Sequence, residues 1–167
     1  MGCAPLAHTP LPSPRRYVRQ LHAVLAMGWL LLGLAMPVQA SEAWSLSDGA
    51  GHRFRATVFE QPFAEYPSGW RIRLNALEAD MGLDHDADLL LSDAQGHAWR
   101  LPNHSEELVP RGVSPVPAGS AQFDLDALSP RPSDAIPLQL EVQTADGPLR
   151  FDLTPAQTQE LHALALA

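Results

Sequence analysis

Beyond residue 40 the chain alternates apolar and polar side chains with a period of two. Phe54, Ala56 and Val58 fall on one face of such a segment, with Arg53, Arg55 and Thr57 on the other. Trp70, Ile72, Leu74 and Ala76 are set against Arg71, Arg73 and Asn75 in the same way. The pattern returns in Trp99 and Leu101 around Arg100. It recurs in Ile136, Leu138, Leu140 and Val142 between Gln139, Glu141 and Gln143, and in Leu149, Phe151 and Leu153 around Arg150 and Asp152. Side chains on a strand project to opposite faces in turn, so these segments predict antiparallel strands with one face in a core and the other in water. About eight strands at this spacing predict a single antiparallel β-sandwich, immunoglobulin-like in general architecture. A sandwich is preferred to a barrel because the long loops have the character of crossovers between two sheets.

The turns support that reading. The string LSDGAGHRFR at 46–55 is nearly repeated as LSDAQGHAWR at 91–100. Each copy lies between alternating segments, Ala43 to Ser47 with His52 to Phe59, and Ala87 to Ser92 with His97 to Leu101. Asp48 and Asp93 suit the first position of a type I turn because their carboxylates accept backbone N–H bonds. Gly51 and Gly96 supply the positive φ that closes a short hairpin. The duplication is therefore read as a repeated turn, with His52 and His97 as exposed turn residues. Ala145-Asp146-Gly147-Pro148 predicts a third hairpin between the last two strands. Thr154-Pro155-Ala156-Gln157 is a capping box with Pro at the first helical position, which predicts a short helix over about residues 155–166.

The first forty residues are set apart. Arg15, Arg16 and Arg19 precede an unbroken apolar run from Ala23 to Ala35, Pro37 breaks it, and Val38-Gln39-Ala40 places small residues where a signal peptidase reads. The run falls short of the roughly 20 apolar residues of a membrane span. Residues 1–40 are expected to be a leader cleaved after Ala40, leaving residues 41–167 as one extracytoplasmic domain with no transmembrane anchor. Tyr17-Val18-Arg19 lacks the continuation of a twin-arginine signal, which favours the general secretory route.

From Ser41 onward there is no cysteine, so disulfides and thiol chemistry are excluded. Eight arginines face all 19 acidic residues in that segment, a net −11 with histidines neutral. Such acidity argues against a nucleic-acid partner, whose affinity comes mainly from basic contacts to phosphate.

Candidate chemistry is sparse. Asp84-His85-Asp86-Ala87-Asp88 begins like a calcium loop, but Leu89 and Gln95 stand where Gly and Glu are required. The later histidines show no metal-ligand spacing, so no metal and no cofactor are expected. Arg53, Arg55, Arg71, Arg73 and Arg100 all alternate outward on this reading. They form an expected binding face for an unidentified protein or anionic macromolecule, since guanidinium groups offer planar paired donors. Cross-strand ion pairing is the structural alternative. The loop from Phe59 to Trp70 carries Phe63 and Tyr66 between its terminal aromatics; with Tyr66 or Trp70 exposed it would serve a glycan or small ligand, and otherwise it would fold over the core. A third reading is a hydrolase near His104 and Glu106, where no nucleophile can be named.

The strings VFEQPFAEYPSGWRIRL, LPNHSEELVP and GSAQFDL, in this order after an export signal, resemble a family of small exported cyanobacterial proteins of uncharacterised function. That resemblance implies export to the periplasm or the thylakoid lumen and assigns no activity or site residue. The expected function is a non-enzymatic macromolecular binding or accessory factor.

Overall fold

A computed structural model describes residues 42–113 and 115–164. The leader expected over 1–40, with its cleavage position, lies outside the described residues. The chain forms eight strands, β1 Glu42–Ser47, β2 Arg53–Glu60, β3 Trp70–Ala76, β4 Leu89–Asp93, β5 Ala98–Leu101, β6 Ser120–Asp124, β7 Leu138–Thr144 and β8 Gly147–Asp152, followed by helix α1, Pro155–Ala163. They build two four-stranded sheets, ordered β1-β2-β3-β6 and β5-β4-β7-β8, antiparallel throughout. The chain changes sheet between β3 and β4, between β5 and β6 and between β6 and β7, so the long loops are the crossovers. In an immunoglobulin domain the third strand has already crossed to the second sheet; here β1, β2 and β3 form one consecutive meander.

The apolar positions of the alternating segments meet between the sheets. Phe54 and Ala56 from β2, Ile72 and Leu74 from β3, Leu91 from β4 and Leu140 from β7 are buried in one cluster. Phe54 meets Phe151 of β8 edge to face with centroids 5.2 Å apart, the arrangement that the ring quadrupoles favour.

The two similar strings are two similar hairpins, one in each sheet. Asp48 Oδ1 accepts from the N–H groups of Ala50 and His52, both at 2.9 Å, and Asp93 Oδ1 accepts from Gln95 at 2.8 Å and His97 at 2.9 Å. Gly51 and Gly96 take φ of 99° and 92°. The histidines do more than occupy the turn: His52 Nδ1 lies 2.6 Å from Asp48 Oδ2, and His97 Nδ1 2.8 Å from Asp93 Oδ2. One carboxylate thus serves the turn backbone and the imidazole that closes it.

Helix α1 starts as its sequence dictates. Thr154 Oγ1 accepts from Gln157 N at 3.3 Å while Gln157 Oε1 accepts from Thr154 N at 2.8 Å. Leu161 enters the core, and the Trp44 indole of β1 donates to Glu160. The helix ends at Ala163, and residues 165–166 of the expected span lie outside the described residues. Among the described residues no helix is long and apolar enough to cross a membrane.

A cleft held by a buried arginine

The strand register places Arg55 beside Asn75, Thr57 beside Arg73 and Phe59 beside Arg71, all on the outer face of the first sheet. That face is not open to water along its whole width. After β5 the crossover runs back along the edge of β6, with His104 N donating to Gln122 O at 2.7 Å and Asp124 N to Pro102 O at 3.0 Å. It then winds into a 3-10 turn, Ser105–Leu108. Ser105 is buried and its Oγ accepts from Gln122 N at 3.1 Å.

Beneath this turn Arg71 is only 1% exposed. Its Nε donates to Glu107 Oε2 at 3.1 Å, Nη1 to Asp124 Oδ1 at 3.2 Å and Trp70 O at 3.1 Å, and Nη2 to Pro67 O at 3.0 Å and Glu107 Oε1 at 3.4 Å. Every N–H of the guanidinium has an acceptor. Glu107 Oε2 also accepts from Gln61 Nε2 and Gln122 Nε2, both at 2.6 Å. Two charges removed from water each cost several kcal/mol of hydration, and only such complete pairing offsets the loss. The pairing joins two loops. Pro67 belongs to the aromatic loop between β2 and β3, and Glu107 to the β5–β6 crossover.

Between those loops lies a cleft of about 370 Å³, lined on one side by Tyr66 and Pro67 and on the other by His104, Glu106 and residues 109–113. Tyr66 Oη donates to Val109 O at 3.0 Å, and Arg111 Nη2 donates across to Glu65 O at 2.6 Å. The Arg111 guanidinium carbon stands over the Tyr66 ring, 5.5 Å from its centroid. His104 Nδ1 lies 3.0 Å from Glu106 Oε1. Gly69, at φ 135°, allows the loop to pass close to its neighbours, because a Cβ there would stand 1.9 Å from Asp126 Oδ2.

A family model described as "Protein of unknown function (DUF3122)" matches residues 36–164. The chain belongs to the DUF3122 family. No curated protein and no solved structure matches it.

The DUF3122 fold separates the arginines that alternation grouped as one outward face. Arg71 is on the expected side of β3 but buried, because alternation reports which side of a sheet a residue takes and cannot report that a loop returns over it. Arg100 is exposed on β5, which belongs to the other sheet. Arg73 is half-buried, with Nε and Nη2 on Gln122 Oε1 at 3.1 and 2.8 Å and its guanidinium over Phe59 at 5.0 Å. Burial draws its pKa down, with Glu107 pulling the other way. Arg53 is exposed and bonded to Glu78 at 3.4 Å. Arg55 is exposed, and its side chain makes no hydrogen bond or ion pair among the described residues. The five therefore form no continuous positive stripe. Arg150, outside that set, makes the short cross-strand pair of the second sheet, 2.6 Å from Glu141.

Of the aromatic loop, Phe63 is 58% exposed, Tyr66 is partly buried in the cleft wall, and Trp70 packs against the core. Asp84 Oδ1 accepts from Asp86 N at 2.9 Å, a local turn. Among the described residues no group of His, Cys, Asp and Glu is arranged to hold a metal. Glu107, Gln61, Gln122 and Arg111 were not singled out from the sequence. For Arg111 a signal existed. Pro110-Arg111-Gly112-Val113 has glycine at the third turn position, and the structure has φ 80° there with Val113 N donating to Pro110 O at 2.9 Å, a turn that presents Arg111.

Proposed function

We propose that this protein is an exported, non-catalytic binding protein that takes a small ligand into the cleft between the 59–70 and 102–117 loops. The observation that carries the reading is the convergence of Tyr66 from one loop with His104, Glu106 and Arg111 from the other on one concavity of about 370 Å³. Ligand sites of proteins occupy roughly 300–1,000 Å³ and combine apolar walls with a few convergent polar groups. A binding role is favoured over hydrolysis because the Ser105 hydroxyl, next to the His104–Glu106 pair, is buried and engaged by Gln122 N. That serine is not presented to a base. Export rests on the basic residues and the apolar run that precede residue 41. With the family resemblance, these support the periplasm or thylakoid lumen of a cyanobacterial cell as its location.

A second reading is an accessory factor whose outer sheet face docks an anionic macromolecule. Arg55 favours it, as an exposed guanidinium on that face without a partner among the described residues. A fragment screen followed by amide NMR on the purified protein separates the two. Shifts clustered at Tyr66, His104 and residues 109–113 are expected. Absence of any perturbation there at millimolar fragment concentrations overturns the cleft reading. Perturbations by an anionic polymer confined to the surroundings of Arg55 select the docking face.

A further inference from the structure

Resting on the cleft as a ligand site, we infer that its ligand is a small monocarboxylic acid with an apolar body, the carboxylate being held by Arg111. Three arginines of the fold are matched to carboxylates: Arg53 to Glu78, Arg71 to Glu107 and Asp124, and Arg150 to Glu141. Arg111, like Arg55, Arg73 and Arg100, has no carboxylate in an ion pair with it among the described residues, and unlike them it lines the cleft. Its one side-chain hydrogen bond goes to the neutral carbonyl of Glu65 and its other contact is the Tyr66 ring. Those two contacts fix the guanidinium against a wall while leaving N–H groups for a ligand. A planar fork held in advance loses little entropy on gripping a carboxylate.

The rest of the cleft defines the body of the ligand. Pro67, Val109, Pro110, Val113 and Val116 make the lining predominantly apolar, and Val113 is 54% exposed. Arg111 is the one guanidinium among the cleft's lining residues and matches one carboxylate. The Glu106 carboxylate, on the same cleft and hydrogen-bonded to His104, repels each further negative charge, which disfavours a phosphate approaching two charges. A sugar is disfavoured because Arg111 already covers one face of the Tyr66 ring, and Trp70 packs against the core. The overall acidity of the chain does not prevent anion binding, since exposed charges are largely screened beyond about 8 Å at physiological ionic strength.

The test compares 4-phenylbutyrate with 4-phenylbutyramide on the purified protein by amide NMR titration, alongside Arg111→Gln and, as a control on the other sheet, Arg100→Gln. The acid is expected to bind at least about tenfold more tightly than the amide, as a charge-assisted pair warrants. Arg111→Gln abolishes that preference with the folded spectrum unchanged; Arg100→Gln keeps it. Equal binding of acid and amide by the wild type overturns the carboxylate assignment and leaves the cleft as a ligand site. Failure of both probes and of every fragment to perturb the cleft removes the site itself. An acetylated tripeptide with a free C-terminus is the third arm. If it binds through Arg111 while 4-phenylbutyrate does not, the assignment falls in favour of a polypeptide terminus.

Discussion

Arg71 and Glu107 are 36 residues apart in sequence and meet at 3.1 Å, with their side chains 2% and 1% exposed. Around this pair the two loops that wall the cleft are fastened to the outer face of a sheet. Removing one partner strands the other charge away from water, whereas Arg73 on the same strand leans on a neutral Gln122 and is half-buried. Arg71→Met is therefore expected to lower the unfolding free energy by about 3–5 kcal/mol, and Arg73→Met by about 1 kcal/mol. Urea denaturation of both variants checks the contrast. Equal losses would show that the two arginines share the same environment.

Gly69 and Gly49 form a second pair with opposite expectations. A methyl group at Gly69 meets the Asp126 carboxylate at 1.9 Å and φ there is 135°, whereas at Gly49 nothing lies within 4 Å. Gly69→Ala should cost about 1–3 kcal/mol as strain, and Gly49→Ala should stay within about 0.5 kcal/mol of the wild type. Thermal or urea unfolding of the two variants decides. A harmless Gly69→Ala would mean that the loop does not pass so close to Asp126.

The Asp48–His52 turn carries a pH dependence with a definite sign. The side-chain bond to Asp48 raises the His52 pKa above its ordinary 6.5, and the bond from His52 lowers that of Asp48 below 3.8. A raised base stabilises fully below 6.5 and loses that contribution as pH climbs through its folded value. A depressed acid contributes above 3.8 and loses its share as pH falls through its folded value. Both contributions are complete between these values. For His52→Asn, the Tm deficit relative to the wild type should be greatest near pH 5 and shrink toward pH 9. A deficit independent of pH would contradict the pairing.

Helix α1 depends on its cap. Thr154→Ala removes the acceptor of Gln157 N and one half of a reciprocal pair, and is expected to cost about 0.5–2 kcal/mol. Circular dichroism during urea unfolding measures the loss, and an unchanged midpoint would remove the cap from the account.

The strands and hairpins were legible because their cause is local. Phe54, Ala56 and Val58 reach the core whatever lies on the other side of the sheet, and Asp48 or Asp93 with the following glycine makes the turn unaided. Strand β6 was not placed, because SAQFD offers only Ala121 and Phe123 as alternating apolar residues and its outward Gln122 is itself buried. The node around Arg71 was misplaced for the same reason. Its partners come from Pro67, Glu107 and Asp124, and nothing in the neighbourhood of Arg71 announces that a turn carrying Glu107, 36 residues later, folds back over it. Tyr66, His104 and Glu106 were each visible as candidates for separate ideas. Their meeting in one cleft depends on a crossover path that residue patterns do not encode.

Hydrogen exchange of the Arg71→Met variant against the wild type tests most directly whether the buried pair is what holds the cleft together. Amide protection is expected to fall further in both walls, at Tyr66 to Trp70 and at His104 to Leu108, than in the hairpins at Asp48 to His52 and Asp93 to His97, beyond the loss that lower global stability imposes everywhere. An excess loss in only one wall, or walls that lose no more than the rest of the domain, overturns the idea that the pair fastens them.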